Sequence, residues 1–257
     1  MMEKEAVADE KEDDETVQTI ECIQAMRSFM LGDNSGGEYL LETSANKASC
    51  KFVAIEPCFK LLESYIELSE GKGCEISLGI IANLLLSSEE RAKVFQYFDD
   101  LTNLVVQCFS TGFDAYVYSA SFRVLANIIY NGFVKPIVPY LDEISYFVQF
   151  TLQNSLYSGL LAQTTQFLSF LFQSCNFVDK NQDMDVFDLQ IILFQVFNIP
   201  KVLTNIFSEN INVLELITGE SIGNSTGLEY FLTLFYDITI FCNTFNHSSL
   251  SKDHKDF

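Results

Sequence analysis

Apolar residues recur every three or four positions along most of this chain, and strict alternation is scarce, so the pattern predicts helices. Val17, Ile20, Ile23, Met26 and Met30 mark a first helix, opened by Asp13 or Asp14 and closed at Gly32. Residues 33–50, with Asn34-Ser35-Gly36-Gly37, read as a loop. Pro57 suits a first turn, and Phe59, Leu62 and Ile66 continue that helix to a break at Gly71-Lys72-Gly73. A helix over about 74–86 follows. Ser87 and Glu90 then form a capping box for a short helix ending near Phe98. Asp99 or Asp100 opens the next helix, closed by Gly112, and Asp114 opens another that stops at Asn131-Gly132. Beyond Asn176 the pattern loosens into an acidic loop (179–185), an apolar helix (186–197) and a long helix (about 226–245). Residues 212–218 come nearest to a strand.

The helices repeat. With Asn83 aligned on Asn127, Ile80-Ile81-Ala82-Asn83-Leu84-Leu85 falls on Val124-Leu125-Ala126-Asn127-Ile128-Ile129, and Val94 on Val138. A one-residue gap places Tyr97-Phe98-Asp99-Asp100-Leu101-Thr102 on Tyr140-Leu141-Asp142-Glu143-Ile144-Ser145, and Val105 on Val148. A weaker third copy starts at Phe167. A period of roughly 40–47 residues is that of armadillo and HEAT units, which bury their faces against one another because each has too little core alone. The expected fold is therefore all-α: an armadillo/HEAT-type α-solenoid, a right-handed superhelix of about three to four repeats. The repeat domain should occupy residues 16–245, between an acidic disordered tail (1–15) and a polar one (246–257). Ile80, Leu84, Leu125 and Ile128 should be core.

Composition narrows the function. The chain carries 35 acidic against 15 basic residues, a net charge of -20, and residues 1–16 alone hold eight acids and two lysines. Such a field repels nucleic-acid phosphates and anionic membranes, so direct nucleic-acid or membrane binding is not expected. It favours basic partners, while also keeping a protein with 24 phenylalanines dispersed. The seven cysteines are scattered with no CxxC pair, as free core thiols would be. No apolar run reaches the roughly 18 residues of a membrane span, and the first residues are acidic rather than basic-then-apolar. The expected location is nucleus or cytoplasm, which makes the sequons at Asn224 and Asn246 incidental.

Motifs with chemistry are few. Gly219-Glu220-Ser221-Ile222-Gly223 matches a nucleophile elbow, and Asp237 and His247 follow in hydrolase order. A serine hydrolase using Ser221 is thus an alternative, although the elbow requires a parallel sheet that the pattern does not supply. Asp179-Lys180-Asn181-Gln182-Asp183 resembles a calcium loop, but Met184 replaces the turn glycine and Gln190 stands where a bidentate glutamate is needed. The only histidines are His247 and His254, so no zinc site is expected, and no phosphate-cradling loop is present. No cofactor, metal or catalytic residue is expected from the rest.

Asn83 and Asn127 remain. An asparagine inside a helix is costly when buried unless its amide is satisfied. Its recurrence therefore has two readings: a row of exposed amides facing a partner's backbone, or a row of bonds to neighbouring helices. The pattern is similar to the third-helix signature of armadillo proteins, where the asparagine lines a groove for an extended peptide. That resemblance makes Asn83, Arg123, Asn127 and Tyr130 the candidate partner-binding groove. The tryptophan that import receptors carry one turn earlier is replaced by Gly79 and Arg123.

Residues 74–84, Cys-Glu-Ile-Ser-Leu-Gly-Ile-Ile-Ala-Asn-Leu, resemble the Glu-Ile-x-x-Gly-Ile-Leu-Gly-Asn core of the serum amyloid A-like 1 family, with Ala82 in place of a glycine. The resemblance covers about residues 55–155. It implies an intracellular, often nuclear, non-catalytic armadillo protein; the scarcity of catalytic motifs and the two asparagines make a protein-binding scaffold or adaptor with an armadillo-type groove the expected function. A structural subunit of a larger complex is the further alternative.

Overall fold

The structure, a computed structural model, describes residues 2–87, 94, 97–154, 157–174 and 236–240. It is predominantly helical, with no strand among the described residues, in keeping with the all-α expectation. The chain divides into two compact units, residues 1–97 and 98–257.

In the first unit, α1 (Met2–Met30) packs on α2 (Asn34–Ala45), and α4 (Gly71–Leu86) packs on both α2 and α3 (Ile55–Glu67). A 3₁₀ turn (Cys50–Phe52) links α2 to α3. Helix α4 is buried at every position from Ile76 to Leu85, which is why its sequence is apolar all round rather than striped. Where it meets α2, the Cβ that Gly79 lacks would lie 2.7 Å from Leu41. The Tyr65 hydroxyl of α3 donates to the Phe29 carbonyl at 2.6 Å, and the two rings lie 5.2 Å apart, tying α3 to the end of α1.

In the second unit, α5 (Phe98–Ser110) forms a hairpin with α6 (Ala115–Tyr130), and α7 (Leu141–Asn154) forms one with α8 (Ser158–Ser174). The hairpins stack like on like, α5 against α7 and, most extensively, α6 against α8. Phe109 joins the layers, its ring 4.8 Å from Phe122 and 5.0 Å from Phe147, and Phe122 reaches Phe167 at 5.6 Å. Within this unit the aligned segments of α5 and α7, and of α6 and α8, are thus segments that stack. Ile80, Leu84, Leu125 and Ile128 are fully buried as expected.

Helix ends follow the expected chemistry. Asp114 caps α6, accepting from the Tyr116 and Val117 amides at 3.0 and 3.2 Å. Gly32, Gly112 and Gly132 close three helices with φ of +88°, +79° and +89°, a region that glycine enters without steric cost. Asp99 and Asp100 sit in the first turn of α5, where negative charge complements the helix dipole.

Three expectations are corrected. Residues 34–45 form a helix, not a loop. Asp33 caps it by accepting from the Ser35 amide, and Gly36 and Gly37 serve close packing rather than turning. A Cβ on Gly36 would stand 2.4 Å from the Ala25 carbonyl oxygen, and one on Gly37 would stand 2.7 Å from the Phe29 ring. The break before α4 falls at residues 68–70, so that Gly71 and Gly73 lie in its first turn. Finally, α1 begins at Met2, taking in the acidic segment expected to be disordered. No glycine or proline interrupts it, eight of its nine acids lie in its N-terminal half, and Arg27 lies in its last turn, the arrangement that the helix dipole favours. Of the five apolar residues that predicted α1, only Met26 is buried; Cys22 and Phe29 complete the packed face, whereas Val17, Ile20, Ile23 and Met30 are exposed.

Candidate functional site

Asn83 and Asn127 hold equivalent positions on α4 and α6, and both are buried, 9% and 5% exposed. The expectation that they are exposed groove residues is therefore corrected. The Asn83 amide donates to the Ser44 hydroxyl at 2.9 Å and to the Leu41 carbonyl at 3.2 Å, both on α2. A buried amide needs such partners, and here the neighbouring helix supplies them. Asn83 locks α4 to α2. Gly37 approaches Ile76, Gly79 approaches Leu41, and Asn83 bonds Ser44, so α2 and α4 run parallel.

The other two candidates behave differently. Tyr130 is 64% exposed and Arg123 half-buried. Tyr116, Arg123 and Tyr130 are spaced by seven residues, two helical turns each, and so share one face of α6. Along this face α8 runs parallel to α6: Tyr116 packs on Tyr157, just before α8, at 4.9 Å between ring centres, and Tyr130 packs on Phe170 at 5.4 Å. Gln163 lies between these pairs, two turns before Phe170, and its side-chain oxygen is buried without a hydrogen-bond partner. The result is a two-helix surface with an aromatic pair at each end and arginine and glutamine between.

Its electrostatics are unlike the rest of the chain. Helix α6 contains no acid and one base, Arg123, and α8 contains no charged residue at all. Burial lowers the Arg123 pKa from the ordinary guanidinium value, because it penalises the charged form. Among the described residues, two carboxylates lie near the surface. Asp114 is committed to its cap at the Tyr116 end. Asp237, buried in the helical segment 236–240, accepts from Ser169 at 2.5 Å and from Gln173 at 2.9 Å near the Tyr130 end. The pairs Tyr157 and Phe170, absent from the sequence-derived candidates, were concealed because an aromatic at helical spacing reads as core.

Elsewhere the described residues offer less. An open cleft of about 650 Å³ between α1 and residues 47–52 is lined by Asp14, Glu15, Lys47 and Lys51, with Lys51 paired to Glu15 at 2.8 Å. No group of three or more His, Cys, Asp or Glu that could hold a metal occurs among the described residues, and none of their helices is long and apolar enough to cross a membrane. Cys22, Cys50, Cys58, Cys74 and Cys108 are buried free thiols, and burial pushes the Cys58 pKa up to about 12. The elbow at Ser221, His247 and the calcium-like loop lie outside the described residues; Asp237 of that hydrolase order is engaged with Ser169 and Gln173.

No family model matches the chain, and searches of curated proteins and of solved structures likewise return no match.

Proposed function

We propose that this chain is a non-catalytic protein-binding scaffold, an armadillo-type α-solenoid acting in the nucleus or cytoplasm, and that the α6–α8 surface receives an extended segment of a partner protein. The supporting observation for the fold is the stacking of two hairpins about 43 residues apart in sequence, first helix on first and second on second. Continued through three to four units, that stacking makes a solenoid of the kind the serum amyloid A-like 1 resemblance implies. The observation carrying the function is the surface itself. Exposed Tyr116 and Tyr130 cap a two-helix strip whose middle is polar rather than apolar. Tyrosine and arginine anchors, with few rotatable bonds or many fixed donors, are what recurrently dominate binding energy in protein interfaces. The net charge of -20 adds long-range attraction for basic regions of a partner outside the strip.

A library of random 12-residue peptides displayed on phage, panned on the full chain, tests this reading. Recovered peptides should bind wild type and lose binding to Tyr130→Ala and Phe170→Ala. Peptides that bind all three proteins equally, or an absence of binders, would remove the α6–α8 surface from consideration.

A further inference from the structure

We infer that α1 carries a second docking surface, whose occupant is an amphipathic helix of a partner protein with an apolar stripe and a lysine- or arginine-rich end. The side of α1 that the fold leaves uncovered points to it. Cys22, Met26 and Phe29 are buried, whereas Val17, Ile20, Ile23, Met30 and Leu31 are between 48% and 88% exposed. Leu31 belongs to the closing turn, its amide bonded to the carbonyls of Arg27 and Ser28. At roughly 100° per residue these five fall within an arc of about 140°, on the far side of the helix from the packed residues. They leave roughly 500 Å² of apolar surface in a strip about 21 Å long, the size at which a patch marks a contact site rather than scattered exposure. A strip of that shape matches another helix, whose apolar side chains at successive turns lie along it.

Charge selects among helices. The same helix continues from the strip into residues 2–16, which hold eight acids against two lysines. The excess does not depend on how any one carboxylate is paired. Glu15 is bridged to Lys51, for example, but the chain has 35 acids for 15 bases, so internal pairing cannot neutralise it. A helix laid on the strip and extended past Val17 runs beside this segment, where lysines and arginines are attracted and acids repelled. Arg27 lies toward the other end, between Ile23 and Met30, and sets the direction: the partner's basic residues belong at the Val17 end. A second copy of this chain is disfavoured by the same count, because it would bring a net charge of -20 against its equal.

The test is a phage library of helical peptides about 18 residues long, apolar at helical spacing and random elsewhere, panned on the full chain. Recovered peptides should carry Lys or Arg at one end, and a fluorescein-labelled one should bind by anisotropy with an affinity that salt weakens. Ile20→Gln/Ile23→Gln/Leu31→Gln changes only exposed side chains, so circular dichroism and Tm should match wild type while affinity falls about tenfold or more. Glu10→Gln/Glu12→Gln/Asp13→Asn should weaken binding about three- to tenfold at low salt and flatten the salt dependence. Tyr130→Ala should leave the affinity unchanged, which separates this surface from the one on α6 and α8. Peptides that bind the triple apolar variant as tightly as wild type would be attracted only by the acidic body, and would overturn the docking surface. No recovered peptide, or a wild-type dimer in sedimentation that the triple apolar variant dissolves, would overturn it as well, the dimer by giving the strip to a second copy.

Discussion

Removing the Asn83 amide tests directly which of two roles the recurring asparagine plays. In Asn83→Ala at least two hydrogen bonds disappear, those to the Ser44 hydroxyl and the Leu41 carbonyl. The Leu41 carbonyl keeps a donor, because the Ser44 hydroxyl donates to it at 2.8 Å, so no acceptor is stranded there. The loss is then at least the net worth of these two bonds, about 1 kcal/mol each, and together about 2 kcal/mol. For a chain of this size that corresponds to a fall in Tm of about 4–8 °C. Urea unfolding followed by circular dichroism gives the free energy, and Ser44→Ala with the double variant completes a cycle. The two sites share one bond, so their coupling should be about 0.5–1 kcal/mol. An unchanged midpoint in Asn83→Ala, or effects that simply add in the double variant, would refute the lock between α4 and α2. It would also return Asn83 to the list of groove residues, since an amide reserved for a partner leaves the stability of the unbound chain untouched.

Three further outcomes follow from the packing. Gly37→Ala forces a Cβ into the Phe29 ring and the Ile76 side chain and should cost about 1–3 kcal/mol by overpacking, read as a shift in the urea midpoint; a neutral result would mean that α2 does not approach α1 and α4 so closely. Asp114→Ala removes the acceptor for two amides at the start of α6 and should cost about 1 kcal/mol, whereas Asp114→Asn should retain most of it. The Cys58 thiol, fully buried with its pKa pushed up to about 12, stays protonated at pH 8 and should resist iodoacetamide in the native chain yet react fully in 6 M guanidinium, as followed by peptide mass mapping. Native labelling at the unfolded rate would contradict that burial.

The sequence makes the repeat legible because stacking constrains both copies alike. Helix, cap and apolar spacing recur together, so α5, α6 and their glycine stops lie close to where periodicity puts them. What periodicity does not carry is which side of an element meets a neighbour. Helix α1 has apolar residues on more than one face, and the residues Val17, Ile20, Ile23 and Met30 that mark it as a helix are not the ones that are packed. The choice of Cys22, Met26 and Phe29 comes from tertiary contacts with α2 and α3, as does the helical state of the Asn34-Ser35-Gly36-Gly37 stretch, whose glycines satisfy a demand for closeness that exists only once α1 and α4 are in place. The asparagines show the same limit at a single residue. A polar side chain recurring in an apolar helix announces that it has a partner, and the spacing is the same whether that partner is Ser44 on the next helix or a bound peptide. On α6, Tyr130 and Arg123 are distinguished from Asn127 by where α8 stops covering the helix. The proposed binding surface is set by two aromatic pairs, Tyr116 with Tyr157 and Tyr130 with Phe170, drawn from segments some forty residues apart, and on that proposal substitutions at those pairs should alter binding while Asn83→Ala alters stability.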